Sequence, residues 1–533
     1  MIRHWFFRPI TITIIAFLLV LVFINTTFYA AMPSDTMEQA DIWLELHQYP
    51  QAEKSLRLLA DQNPNNLDVQ FLYLKSVFSL QEQNIPIAAL DARYSTLMVS
   101  SVSHATGLWG KAWMQIYQNN PKAALHNFEQ IEKFGLKYVN LGIGQAQLQL
   151  NHLDLAKEAF LQEIKTGGDW EHAISYLFSL YVSQGQMIQA QDLLNSKPAA
   201  FSIVNQDDLR KMAFSLGDWQ LYFDQLLFQP LHSIHFFAIG SSLFIALIWF
   251  FYFWRIDIFE QEPVWISLLV MAIGGLMAIL TIPAGDALQW LHPMRINGML
   301  VNDLIVSVGY IGLLEELMKF VPVLMIIVFT NQINEPVDVL IYASLSALGF
   351  ATVENILVIS QVGERIMIAR LLIATLMHLA SSSVLAYVWA MTRFVRGGNL
   401  KIAFFIGWIM AGVVHGLFDY LLLSPTFQLT LAPFLMLVLT VWLYGIMLRN
   451  SLNFSPFLNT QSIVSKRLIN YEWILSAGWG VLLMGYIYFY FHYATAAANV
   501  WMLGNLWTSL PVIFGIFAAL GELSLKKGEF VFP

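Results

Sequence analysis

The 533-residue chain has no cysteine. Disulfides, thiolate metal sites and a cysteine nucleophile are therefore excluded. Charge is scarce as well. Only 12% of residues are Asp, Glu, Lys or Arg, against roughly 25% in soluble proteins. Hydrophobic residues make up 57% and mean hydropathy is +0.58, so a lipid bilayer must solvate much of the chain. The net charge is −8 and the chain has no basic run, so no nucleic-acid partner is expected.

What is present falls into two parts. An apolar stretch at 10–31 follows Arg3 and Arg8. A signal peptide competes with an uncleaved anchor there. The length of about twenty residues, with Phe28 and Tyr29 where a small residue should precede cleavage, favours the anchor. The segment 33–230 is polar, and alanines recur at Ala52, Ala89, Ala124, Ala156 and Ala190, spaced 32–37 residues apart. That spacing is close to the 34-residue helix–turn–helix period of tetratricopeptide repeats. Asn84-x-Pro86-x-Ala88-Ala89-Leu90 and Asn119-x-Pro121-x-Ala123-Ala124-Leu125 share one pattern. An irregular helical solenoid is expected, with an ordinary helical domain as the competing reading.

Nine further apolar spans are expected at 233–254, 264–283, 303–329, 338–361, 366–392, 402–423, 429–448, 473–493 and 500–521. The fold class is thus all-α, a polytopic membrane protein of about ten spans with the solenoid inserted between spans 1 and 2. The domains are an anchor at 1–32, repeats at 33–230 and a membrane domain at 231–533. Arg255, Arg393, Arg396, Lys401, Arg449, Lys466, Arg467, Lys526 and Lys527 fall in alternate loops, and the intervening short loops carry little beyond Arg295, Arg365 and Arg370. By the positive-inside rule both termini are cytoplasmic and the repeats lie outside the cytoplasm.

Ionisable residues inside the spans carry the functional signal. Glu315-Glu316-Leu317-Met318-Lys319 sits in the middle of an apolar stretch. A charge at bilayer depth costs at least about 2.5–3.5 kcal/mol, so such a cluster implies function. The next three spans carry Glu354-Asn355, His378, and His415 with Asp419. Helical spacing lets Glu315 and Glu316 reach Lys319, and lets Asp419 orient His415. Pro322 cannot donate to the carbonyl of Met318, which opens the helix just beyond Lys319. Rise per residue brings Glu315, Glu354, His378 and His415 to similar depth in the outer half of the bilayer. Taken singly, these residues read as a buried salt bridge or as helix-packing hydrogen bonds. Taken together they point to hydrolysis within the membrane, with a proton relay as the sharp alternative.

At these residues the chain resembles the PrsW-type intramembrane proteases, part of a wider group that includes the CAAX prenyl endopeptidases and the scaffold subunit of gamma-secretase. The resemblance rests on Glu315-Glu316-x-x-Lys319, Phe350-x-x-x-Glu354-Asn355, His378 and His415-x-x-x-Asp419, and covers about residues 260–450. It implies peptide-bond hydrolysis in a bacterial cytoplasmic membrane. Glu315 or Glu316 would be the general base, with His378 and His415 stabilising the tetrahedral intermediate or binding a metal. Lys319, Glu354, Asn355, Asp419 and Phe350 would support them. A zinc ion could be held by Glu315 or Glu316 together with His378 and His415, with Glu354 or Asp419 as the further ligand. His-Glu-x-x-His is absent, so metal-free, glutamate-activated water stands beside it. Gly-x-Ser-Gly and Gly-x-Gly-Asp are absent too. The implied partner is a membrane-protein substrate, such as an anti-sigma-factor-like regulator in stress signalling, recruited by the repeats. A non-catalytic scaffold of the same fold and an ion-coupled transporter are the alternatives.

Overall fold

Apolar runs in lipid leave the backbone only its own carbonyls to bond, and every element among the described residues of the computed structural model is helical. Those residues are 9–80, 87–166, 169–229, 234–256, 260–291, 294–424, 427, 431–458, 472–520 and 525–531. Arg3, Arg8, Asn84, Pro86, Lys466 and Arg467 lie outside them. The chain divides into two units, Ala31–Phe228 and a second formed by Met1–Ala30 with Gln229–Pro533.

In the unit Ala31–Phe228, each helix from His104–Tyr117 to Gln206–Leu216 packs on those before and after it. Small residues set the spacing. Ala52, Ala124, Ala156 and Ala190 are wholly buried. Phe128 and Phe160, each four residues after such an alanine, lie on glycines of a neighbouring helix. A methyl group on Gly142 would come within 2.2 Å of the Phe128 ring, and one on Gly144 within 2.4 Å of Phe160. Ala89 departs from the expected register. It is exposed, while Leu90 and Tyr94 turn inward, because the larger pair, one turn apart, takes the buried face.

The other unit contains ten long helices: α1 (Pro9–Thr26), α2 (Phe236–Ile256), α3 (Val264–Leu291), α4 (Leu313–Phe329), α5 (Pro336–Val362), α6 (Thr375–Met391), α7 (Leu400–Leu423), α8 (Ala432–Asn453), α9 (Glu472–His492) and α10 (Thr495–Leu520). Among the described residues, eight helices are long and apolar enough to cross a membrane; α4 and α10 are not in that set. The expected span 303–329 is three consecutive pieces: a turn at Leu300–Ile305, a π-helical stretch Val306–Gly312, and the 17-residue α4.

Helix α5 is the centre, packed against α2, α3, α4, α6 and α8 and buried along most of its length. Its small side chains permit this. A methyl group on Gly349 would lie 1.8 Å from the Met271 carbonyl oxygen, so α3 and α5 touch backbone to backbone. Polar side chains join α1 to α9 and α10. Asn25 donates to the Tyr486 hydroxyl at 2.9 Å, Tyr486 donates to Asn499 at 3.0 Å, and Asn499 donates back to Asn25 at 2.8 Å. Such hydrogen bonds between spans replace a hydrophobic drive that lipid does not supply.

Candidate active site

The four polar segments occupy four consecutive helices, α4 to α7, whose ionisable groups meet. Glycine makes the key crossing. A methyl group on Gly312 would lie 2.2 Å from the Gly412 carbonyl oxygen, and one on Gly416 would lie 2.4 Å from the Val308 Cα. The entry to α4 therefore rests directly on the α7 backbone, which sets His415 against the glutamate pair. Both α4 and α6 begin at π-helical turns, Val306–Gly312 and Ala369–Ala374, a deformation frequent at functional sites.

Lys319 lies at the centre, 1% exposed. Its ammonium donates to Glu315 Oε2 at 3.1 Å, Glu316 Oε1 at 3.0 Å and His378 Nδ1 at 2.7 Å. Three protons thus have three acceptors. The partners fix the tautomers. His378 Nδ1 accepts from Lys319, so Nε2 carries the proton, and it lies 2.9 Å from Glu354 Oε2 in an ion-pair contact. His415 Nδ1 lies 2.8 Å from Glu316 Oε1 and donates to it. Its approach to Lys319 Nζ, 3.3 Å, is then a contact between two donors. His415 Nε2 faces Asp419 at 3.4 Å and Glu315 at 3.7 Å. The Phe350 ring centre lies 4.7 Å from the ammonium and 5.8 Å from the His378 ring centre.

The two adjacent glutamates differ. Glu316 has no exposed side-chain surface. Besides Lys319 and His415 it accepts from Ser381 at 2.9 Å and from Ser382 at 2.6 Å. Glu315 keeps 14% of its side chain exposed, and its contacts among the described residues run through Oε2. Of these two, Glu315 is the one with surface left to meet a water molecule.

Asn355 stands apart from this network. It donates to Thr375 at 2.9 Å and accepts from Arg370 at 3.0 Å, tying α5 to the turn before α6. Arg370 is also not a loop charge as expected. It lies in the Ala369–Ala374 turn and binds Glu354 at 2.8 Å, because a glutamate inside a span draws in the nearest cation. Ser381 and Ser382 were not singled out in the sequence, and Arg370 was read there only as a loop charge. Three successive serines just after His378 were the available signal.

The expected zinc set narrows to its Glu315 alternative. Glu316 is held by Lys319, His415 and two serines, and Glu354 by Arg370 and His378, so neither is free. The group whose donor atoms lie within 4.8 Å of one another is Glu315, His378 and His415. Two imidazoles and a carboxylate suit a divalent ion chemically. Tetrahedral zinc with bonds of about 2.1 Å holds its donors about 3.4 Å apart, whereas Glu315 Oε2 is 3.9 Å from His378 Nδ1 and 3.7 Å from His415 Nε2. The Lys319 ammonium occupies the Glu315 and His378 lone pairs that an ion would need. With Lys319 in this position the donors do not fit a metal.

Comparison with known proteins is consistent with this site. The model of the PrsW family intramembrane metalloprotease matches residues 262–446. Protease PrsW of Geobacillus kaustophilus is 26% identical over 173 residues, covering 32% of this chain and 74% of that protein. Protease PrsW of Oceanobacillus iheyensis is 24% identical over 188 residues, 34% of this chain and 82% of the relative. For Protease PrsW of Bacillus subtilis the values are 25% over 197 residues, 37% and 86%. No solved structure is significantly similar to the chain. Glu315, Glu316, Lys319, Glu354, His378, His415 and Asp419 all fall inside the matched region, and with them this chain carries a PrsW protease family domain.

Proposed function

We propose that the protein is an intramembrane endopeptidase that hydrolyses a peptide bond of a membrane-protein substrate with water activated by Glu315. The observation that carries this reading is a single connected network of eight ionisable side chains, seven from four successive helices and Arg370 from the turn before α6, buried except at Glu315, Glu354, Arg370 and Asp419. A structural salt bridge would need only the pair on α4.

In this mechanism Glu315 takes a proton from water as the oxygen attacks the scissile carbonyl carbon. The oxyanion that forms is stabilised by the Nε2–H of His415, which acts as the doubly protonated imidazolium held between the Glu316 and Asp419 carboxylates. Glu315 then delivers its proton to the leaving nitrogen as the carbon–nitrogen bond breaks, and the other water proton stays with the new carboxyl group. His378, fixed between Lys319 and Glu354, and Glu316, fixed by Lys319 and two serines, hold the geometry. Loop charge supports cytoplasmic termini and a repeat domain outside the cytoplasm, with ten spans in all. The repeats, a tetratricopeptide-like solenoid in this reading, recruit the substrate, an anti-sigma-factor-like regulator being the kind that fits.

The test compares membrane proteomes of cells carrying the wild type, Glu315→Gln, and a deletion of 33–230. A membrane protein cut by the wild type should accumulate uncut with Glu315→Gln, and also with the deletion if the repeats recruit it. Normal cleavage by Glu315→Gln would end the catalytic assignment.

A further inference from the structure

We propose that the Lys319 ammonium is a built-in substitute for a metal ion. It supplies the positive charge around which Glu315, Glu316 and His378 are ordered, and its removal opens a divalent-metal site at Glu315, His378 and His415. The inference rests on the hydrolytic reading of the site, but it concerns what orders the donors rather than which bond is cut.

Three observations converge on it. First, the ammonium sits where an ion would. It lies 2.7–3.3 Å from Glu315, Glu316, His378 and His415, and a second cation there would face a like charge with no solvent between them. Second, the lone pairs are taken. His378 has one lone pair to offer, on Nδ1, since Nε2 carries the proton and faces Glu354 at 2.9 Å, and Lys319 uses it at 2.7 Å. Third, the lysine is anchored. It lies on the same helix as both glutamates, one turn on, and its charge lies over the Phe350 ring at 4.7 Å. The neighbouring Lys319 carbonyl, in the turn closed by Pro322, takes the Ser346 hydroxyl at 2.6 Å. The cation cannot leave without stranding two carboxylates at depth.

The two ways of ordering this donor set are therefore exclusive. With the lysine present, a metal must displace it. Without it, the three donors, all within 4.8 Å of one another, need close by only a few tenths of an ångström to about 1.4 Å to reach tetrahedral spacing. In this scheme Lys319 is a positioning residue: it touches the groups that act on water and not the substrate.

Cobalt(II), whose visible ligand-field bands report nitrogen and oxygen ligands, tests this without substrate. Full-length wild type, Lys319→Ala and Lys319→Met are purified in detergent, checked for monodispersity, and titrated with Co²⁺, with elemental analysis of each as isolated. Wild type should carry no stoichiometric metal and show no bands. At least one lysine variant should take up one Co²⁺ with visible bands, at an affinity tighter than wild type by at least about a hundredfold. Adding His378→Gln should abolish those bands. Stoichiometric metal in wild type, lost with His378→Gln, would overturn the proposal. So would folded lysine variants that take up no Co²⁺. If neither lysine variant folds, the elemental analysis of wild type decides. Cleavage by Glu315→Gln is read separately, so failure of the hydrolytic reading and failure of this inference are distinguishable.

Discussion

Glu315 and Glu316 are neighbours in sequence, yet their substitutions should fail in different ways. Glu316→Gln removes the charge from a carboxylate that accepts from Lys319, His415, Ser381 and Ser382 and has no exposed side-chain surface. An amide cannot accept at all four contacts, and its own NH₂ must face at least one donor. Breaking a buried pair in this way costs about 3–5 kcal/mol, a fall in melting temperature on the order of 10 °C. Glu315→Gln keeps an oxygen that can still accept from Lys319, and its other contacts, to His378 and His415, are long at 3.9 and 3.7 Å. It should shift stability by less than about 1 kcal/mol while lowering cleavage by about 10²–10⁴-fold, the typical worth of a general base. Thermal stability of detergent-purified protein, followed by size-exclusion chromatography after heating, is the first assay. Cleavage of the substrate found in the proteome comparison is the second. If Glu315→Gln destabilises as much as Glu316→Gln, or cleaves as fast as wild type, the division of roles is wrong.

Gly312→Val would drive a side chain into the Gly412 carbonyl. It should cost about 1–3 kcal/mol and separate α4 from α7 enough to lower cleavage about 100-fold; the paired stability and cleavage assays check both. Arg370→Gln removes the cation from Glu354 and should lower stability by about 1.5–3 kcal/mol, with kcat falling more than KM if His378 loses its orientation. In the repeat unit, burial pushes the Asp169 carboxyl up, but hydrogen bonds from the His172 side chain and backbone N–H outweigh it and hold the group below its ordinary value. A depressed carboxyl stabilises the fold above its unfolded pKa, and that contribution is lost as pH falls through the folded value. Limited proteolysis of the repeats in the full chain should therefore accelerate in acid, with a weaker pH dependence in Asp169→Asn.

The parts of the site legible in the sequence were those fixed by one helix. Glu315, Glu316 and Lys319 share a face by spacing alone, as do His415 and Asp419, and the structure places each pair in contact. Convergence of four spans could be anticipated from their polar residues. The contacts between helices could not, since they depend on how far each helix is rotated. That rotation is set by backbone contacts at Gly312, Gly416, Gly274 and Gly349. It turns Glu316 toward the serines of α6 and leaves Glu315 at the edge, a distinction no spacing rule carries. It also makes Glu315, and neither Glu316 nor Glu354, the carboxylate that stands beside His378 and His415 in the metal-capable group. In the unit Ala31–Phe228 four of the five recurring alanines are buried as their spacing suggested, but the choice of Leu90 over Ala89 as the buried residue follows from packing with the next helix.

The pairing of Lys319 with two glutamates on its own helix also bears on biosynthesis. A ribosome delivers α4 to the bilayer before α6 and α7 exist, so His378, Ser381, Ser382 and His415 cannot yet solvate its charges. Three unpaired ionisable groups would each add about 2.5–3.5 kcal/mol to the cost of insertion. The contacts from Lys319 to Glu315 and Glu316 need no other helix. They form as soon as the turn does, so the segment enters lipid with one net charge instead of three. The reactive centre is thus carried into the membrane partly neutralised, and its remaining partners arrive in the order in which they are translated.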